Sequence, residues 1–229
     1  MSQVVELGWI PVKDDFESAP VTQTIKEVHS KVIANADLLG QWEGVQNAGG
    51  LDKSPVKGVH FAAVWTSVEA AEAAKQSPDG QEMRKLWGQV MELSSPSGPV
   101  MPKMGYFNLG GDDFAKVAAA NVILLTACYV PADADTAAFN EKWQALMQAH
   151  ASSGAVSAGY VAGAHGWTVG DIDVEGQKKK VFMVVTGWDN EESVKEAIGG
   201  DKRAKSEEAL KEFNIVQHEH VCNGFKKLK

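Results

Sequence analysis

The 229-residue chain carries one pattern twice. Trp9-Ile10-Pro11-Val12 is matched by Tyr129-Val130-Pro131-Ala132. Gly40-Gln41-Trp42-Glu43-Gly44-Val45-Gln46 is matched by Gly159-Tyr160-Val161-Ala162-Gly163-Ala164-His165, and Phe61-Ala62-Ala63-Val64-Trp65-Thr66-Ser67 by Val184-Val185-Thr186-Gly187-Trp188-Asp189-Asn190. The offsets are 120 (131 − 11), 119 (163 − 44) and 123 (188 − 65). So small a drift across three landmarks marks a duplicated unit of about 110 to 120 residues. The expected division is a first unit over 1–111, a joining segment over 112–120 and a second unit over 121–229.

Periodicity orders the elements within each unit. Val4 to Val12 and Val122 to Val130 are apolar, β-rich runs, each stopped at a proline. Ile25, Val28, Val32, Ala36 and Leu39, and in the second copy Phe139, Trp143, Leu146, Met147 and His150, fall at three-four spacing and predict a first helix. A glycine-punctuated strand follows (40–46; 159–168), with a close backbone approach or a bulge. A third strand runs over 59–65 and 181–188, and a hairpin turn at Glu175-Gly176 precedes it in the second copy. Thr66-Ser67-Val68-Glu69 and Asp189-Asn190-Glu191-Glu192 read as capping boxes. Met83, Leu86, Trp87 and Val90, or Ala209, Leu210 and Phe213, mark a second helix. Final strands are expected over 100–109 and 215–225. The fold class is α+β, with two tandem ferredoxin-like β-α-β-β-α-β units.

Two such units, each with a tryptophan ending the third strand (Trp65, Ser67 and Glu69 in a Trp-x-Ser-x-Glu sequence), resemble the dimeric α/β-barrel superfamily. The resemblance covers almost the whole chain and is nearest to the antibiotic-biosynthesis-monooxygenase-like and stress-responsive branches. It implies an intramolecular, pseudo-dimeric barrel, since one chain holds both halves. It also implies a pocket between helices and sheet, and a small apolar or aromatic ligand. Cofactor-free monooxygenases, polyketide cyclases, haem-degrading enzymes and isomerases share that fold, so the fold does not choose among them. The histidines common in cyclases and stress proteins of this group are missing: the first strand offers Glu6 or Thr126, and the stretch before the second helix is Gln76-Ser77-Pro78-Asp79-Gly80. A haem-type axial ligand on a helix would fall to His29 or His150, and nothing else supports a haem. No cofactor is therefore expected.

Composition excludes some partners. A net charge of −8 disfavours nucleic acid and anionic membranes, and no apolar run has spanning length. Cys128 and Cys222 form no CxxC pair and read as buried free thiols, which suits a reducing, cytoplasmic setting. A monomer with an internal pseudo-dimer is expected, with homodimerisation left open.

The candidate site residues lie in the second half. His165 follows a glycine-rich segment and could act as a general base near neutral pH. His218 and His220 share one strand face about 6 to 7 Å apart, as general bases or as a metal pair completed by His60 or His165. Tyr160, Trp143 and Trp167 break the internal symmetry and would hold a flat substrate, as would Trp188. Trp65 and Trp188 also have a packing role in the third strand, and His29 and His60 are expected to be silent. Three functions remain open: a cofactor-free enzyme on an aromatic or polyketide-like molecule, a non-catalytic ligand- or partner-binding barrel, and a metal protein through His218 and His220.

Overall fold

The computed structural model describes residues 3–46, 56–95, 98–152, 158–174, 176–199 and 201–229. The first unit comprises strand β1 (Val4–Pro11), helix α1 (Pro20–Ile33), strands β2 (Leu38–Gln46) and β3 (Gly58–Trp65), helices α2 (Val68–Gln76) and α3 (Pro78–Val90), the small ladder of β4 (Ser94–Ser95) with β5 (Gly98–Pro99), and β6 (Lys103–Gly111). Helix α4 (Phe114–Ala118) leads to the second unit. There β7 (Val122–Pro131), α5 (Thr136–Ser152), β8 (Tyr160–Thr168), β9 (Ile172–Val174), β10 (Gln177–Trp188), α6 (Glu191–Gly199), α7 (Asp201–Leu210) and β11 (Val216–Lys227) repeat the β-α-β-β-α-β order.

Eight strands close into a ring. Within the first unit β2 pairs with β3, β3 with β1 and β1 with β6. Within the second, β8 pairs with β10, β10 with β7 and β7 with β11. Two seams join them, β6 with β8 and β11 with β2, and every pairing is antiparallel. Each seam sets the last strand of one unit against the second strand of the other. Closure leaves no free edge in the ring, and β9 hangs on β10 outside it. The β6–β8 seam is tight: a Cβ added at Gly166 would lie 1.9 Å from the Asn108 carbonyl oxygen, so only glycine fits there.

Both faces of the sheet are covered. Every residue of β1 is buried, because alternate side chains enter the lumen and the helical layer. The lumen core includes Val5, Leu7, Ala62, Phe107, Ile123, Leu125, Val185 and Phe225. Outside, Ile10 and Val59 pack under Ile25 and Val28 of α1 and Leu86 and Val90 of α3. Cys128, Val130 and Phe182 pack under Phe139 of α5 and Leu210 of α7. Both cysteines are buried, and neither is in a disulfide. Helix α4 closes the barrel end where β1 and β7 begin: Asp113 caps it by accepting from the Ala115 amide, and Phe114, Val117 and Ala118 enter the lumen core.

Several local expectations shift. Helix α1 ends at Ile33, so Ala36 and Leu39 are not on it; the Asn35 side chain accepts from the Asp37 amide (2.9 Å) and turns the chain into β2. The second helical segment of the first unit is two helices, because Ser77 caps α3 just ahead of Pro78. The caps of α2 and α6 are Ser67, accepting from Ala70, and Asn190, accepting from Ser193, one residue later than a Thr66–Glu69 or Asp189–Glu192 box requires. Strand β10 begins earlier than 181, and Gly176, with φ 78°, turns the hairpin into it; Glu175 lies outside the described residues.

Candidate functional site

The outer layer of the second unit holds an aromatic group around His165. His165 pairs with Val184 across β8 and β10, and Val184 belongs to the helix-facing layer. Its ring lies 5.7 Å from that of Trp143 on α5 and 5.8 Å from Phe182. Trp167, two residues along the same face, packs on Phe139 and Phe182 and donates its Nε1–H to Asn140 Oδ1 (2.8 Å). Trp143 differs. Its Nε1–H is buried and meets no acceptor among the described residues. Burial holds the His165 pKa below the ordinary 6.5, so the imidazole is neutral at pH 7 and able to accept a proton. Farther along β8, the half-exposed Tyr160 meets Trp188 edge-on at 5.5 Å. Trp188 packs with Val194 of α6 and donates to Thr186 Oγ1 (2.8 Å), while Trp65 packs with Ala71 and Ala74 of α2. Both tryptophans thus fasten a third strand to the helix that follows it.

His218 and His220 do not join this group. They pair with Ala127 and Leu125, both lumen residues, so they stand on the opposite face of the sheet from His165. The expectation of one second-unit pocket holding all three histidines is corrected here. His220 reaches across the lumen to the first unit, stacking on Trp9 (5.7 Å, 28°) and lying 5.3 Å from His60. His218 meets Tyr129 edge-on at 5.3 Å. No three His, Cys, Asp or Glu side chains converge to hold a metal among the described residues. In particular His165, across the sheet, does not complete a site with His218 and His220.

The lumen contains a polar cluster that sequence reasoning missed. Gln46 Oε1 accepts the Trp9 Nε1–H at 2.7 Å and lies 2.9 Å from His60 Nε2. An amide oxygen cannot donate, so His60 carries its proton on Nε2. Burial, then the neighbouring His220 and Lys103, hold the His60 pKa well below 6.5. His60 is 2% exposed and Gln46 1% exposed, so the arrangement is fixed by its surroundings. Gly58 makes room for it, since an added Cβ would lie 2.0 Å from the Trp9 indole nitrogen.

The outer layer of the first unit is occupied differently. Buried Glu6 pairs with Lys75 (2.8 Å) and accepts from Trp65 Nε1 (3.0 Å). Lys75 also lies over the Tyr106 ring, 4.5 Å from its centre, and Tyr106 donates to Glu72. Burial first, and then that hydrogen bond, push the Tyr106 pKa up. The lone acid in an otherwise apolar first strand was the available signal for this set. His29 is tied to Gln41 by a 2.6 Å contact and held below its ordinary pKa by burial; the side chain of His150 lies outside the described residues.

The sequence matches no family model and no curated protein. Solved structures do match over nearly the full length. A proposed monooxygenase from Fusobacterium nucleatum superposes with a TM-score of 0.58 at 10% identity, covering 99% of this chain and 94% of its own. A proposed monooxygenase from Lactobacillus acidophilus gives 0.55 at 12% identity, covering all of both chains. An anthrone oxidase-like protein gives 0.60 at 12% identity, covering 99% and 94%. The fold is a dimeric α/β barrel closed within one chain. At such identities the barrel's likeness is one of architecture, and its chemistry has to be argued from its own residues.

Proposed function

We propose that this barrel is a cofactor-free enzyme of the monooxygenase or isomerase type, acting on a small aromatic or polyketide-like molecule bound between α5 and the sheet of the second unit. The observation that carries the reading is the pairing of a neutral, half-buried imidazole with a buried indole N–H that meets no acceptor among the described residues. A hydroxylated aromatic ring would lie against Trp143, Phe182 and Trp167, and Trp143 Nε1–H would donate to a ring oxygen. His165 would then take the acidic proton. The resulting electron-rich anion is the form that isomerises, or that dioxygen attacks without a metal or flavin. The names carried by the structural neighbours agree with this class of reaction.

Oxygen uptake with a hydroxyanthrone as probe tests the reading. The wild type is expected to exceed background, and His165→Ala to lose activity about 10²- to 10⁴-fold while remaining folded. Trp143→Phe keeps the ring and removes the donor, so it should weaken turnover while leaving packing intact. The pH profile should rise with a limb below about 6.5, the ordinary histidine value. A His165→Ala protein as active as the wild type would overturn the assignment. Saturable probe binding without turnover would favour a non-catalytic ligand-binding barrel instead.

A further inference from the structure

The chain carries 30 acidic and 22 basic residues, yet its barrel interior does not share that balance. Following the alternation of the ring strands, the inward positions include no Asp or Glu. Their Lys and His residues are Lys103, Lys179, Lys227, His60, His218 and His220; Lys227 pairs with Trp42 near α4, and the other five lie toward the opposite end of the barrel. Lys103 and His60 are the two cross-strand partners of Trp9, one on each side, so an ammonium and a buried imidazole flank one indole. Lys103 is exposed as a residue while partial desolvation lowers its pKa; its charge therefore stands at the rim. At the same end Tyr129 and His220 are half-buried and His218 is exposed, while Trp9, His60 and Gln46 are buried.

We propose that this mouth of the barrel is a second binding site, across the sheet from His165, for a small planar aromatic carboxylate. Lys103 meets the carboxylate at the rim. The Trp9–His220 stack and the Tyr129–His218 pair supply ring faces and edges for the aromatic part. A cationic mouth without a facing carboxylate among the described residues selects the anion over its neutral amide, because the amide offers the ammonium no counter-charge in partly desolvated surroundings. In a protein of net charge −8, such a mouth also draws the anion locally against the overall field.

Calorimetric titration of the full chain with benzoate, and with benzamide as its neutral counterpart, tests the proposal. Benzoate is expected to bind saturably at one site per chain, with benzamide at least about tenfold weaker. Lys103→Met should weaken benzoate by a similar factor, and Lys103→Arg should restore most of it. Circular dichroism on both variants confirms the fold, which a rim position should not disturb. His165→Ala should bind benzoate like the wild type, so that failure of the outer-pocket reading and failure of this one are distinguishable. No saturable binding of benzoate, equal affinity for benzamide, equal affinity in Lys103→Met, or loss of binding in His165→Ala would each overturn the proposal.

Discussion

At Gln46 one carbonyl oxygen serves two buried donors, Trp9 Nε1–H and His60 Nε2–H. Replacing it with leucine keeps the volume and leaves both donors unsatisfied in the lumen. Each orphaned donor costs about 1 to 3 kcal/mol, so Gln46→Leu is expected to lower unfolding stability by about 2 to 6 kcal/mol in urea. An unchanged midpoint would show that the two hydrogen bonds contribute nothing net. His60 also sets a pH dependence. Its folded pKa lies below its unfolded one, so between the two the unfolded chain binds the extra proton, and stability falls as pH drops below about 6.5. The limiting slope for this one group is about 1.4 kcal/mol per pH unit. Burial depresses His29 and His165 in the same direction, so the whole chain should be acid-labile between pH 7.5 and 5.5. His60→Gln should flatten that dependence; an equally steep one would place the proton elsewhere. None of this cluster was legible in the sequence. Period-two alternation says which residues share a face, but both faces of this sheet are buried, so polarity does not reveal which one looks inward. His165 and His220 therefore read as neighbours when the sheet separates them.

At the scale of elements, the strands were legible because prolines and β-branched runs bound them. Pro11 and Pro131 end β1 and β7 as their inability to continue a ladder requires. Helix ends were less legible, since two adjacent polar residues compete for each cap. Ser67 and Asn190 prevail because each side chain reaches the amide three residues on (3.2 and 3.0 Å). Ser67→Ala is accordingly expected to cost about 0.5 to 2 kcal/mol, and Thr66→Ala less; the reverse order in thermal melts would restore the earlier cap. The repeated tryptophans belong to this scale too. Trp65→Ala and Trp188→Ala each remove a side chain only 4% and 5% exposed, and each should cost about 3 to 5 kcal/mol. Trp65→Ala should cost the more of the two, because it also strips a hydrogen bond from buried Glu6.

For the whole molecule, the internal repeat made the barrel legible and concealed how it is closed. Recurrent landmarks give two units but not their docking, which depends on backbone edges that side-chain patterns do not encode. Helix α4 shows the same limit: an alanine-rich joining segment also plugs one end of the lumen, with Val117 and Ala118 fully buried. Gly110 and Gly111, which look like a loop in sequence, are seam residues of β6 paired with His165 and Ala164. The central claim is that one chain closes the ring on itself through the β6–β8 and β11–β2 seams. Glu43 and Lys226 face each other across the second seam, and directly paired Cβ atoms lie about 4.5 to 5.5 Å apart, near the reach of a disulfide. In a chain with Cys128 and Cys222 replaced by alanine, Glu43→Cys and Lys226→Cys oxidised at low protein concentration should give a cross-link at monomer mass. A cross-linked dimer would instead show that the halves close between two chains, and would contradict the account.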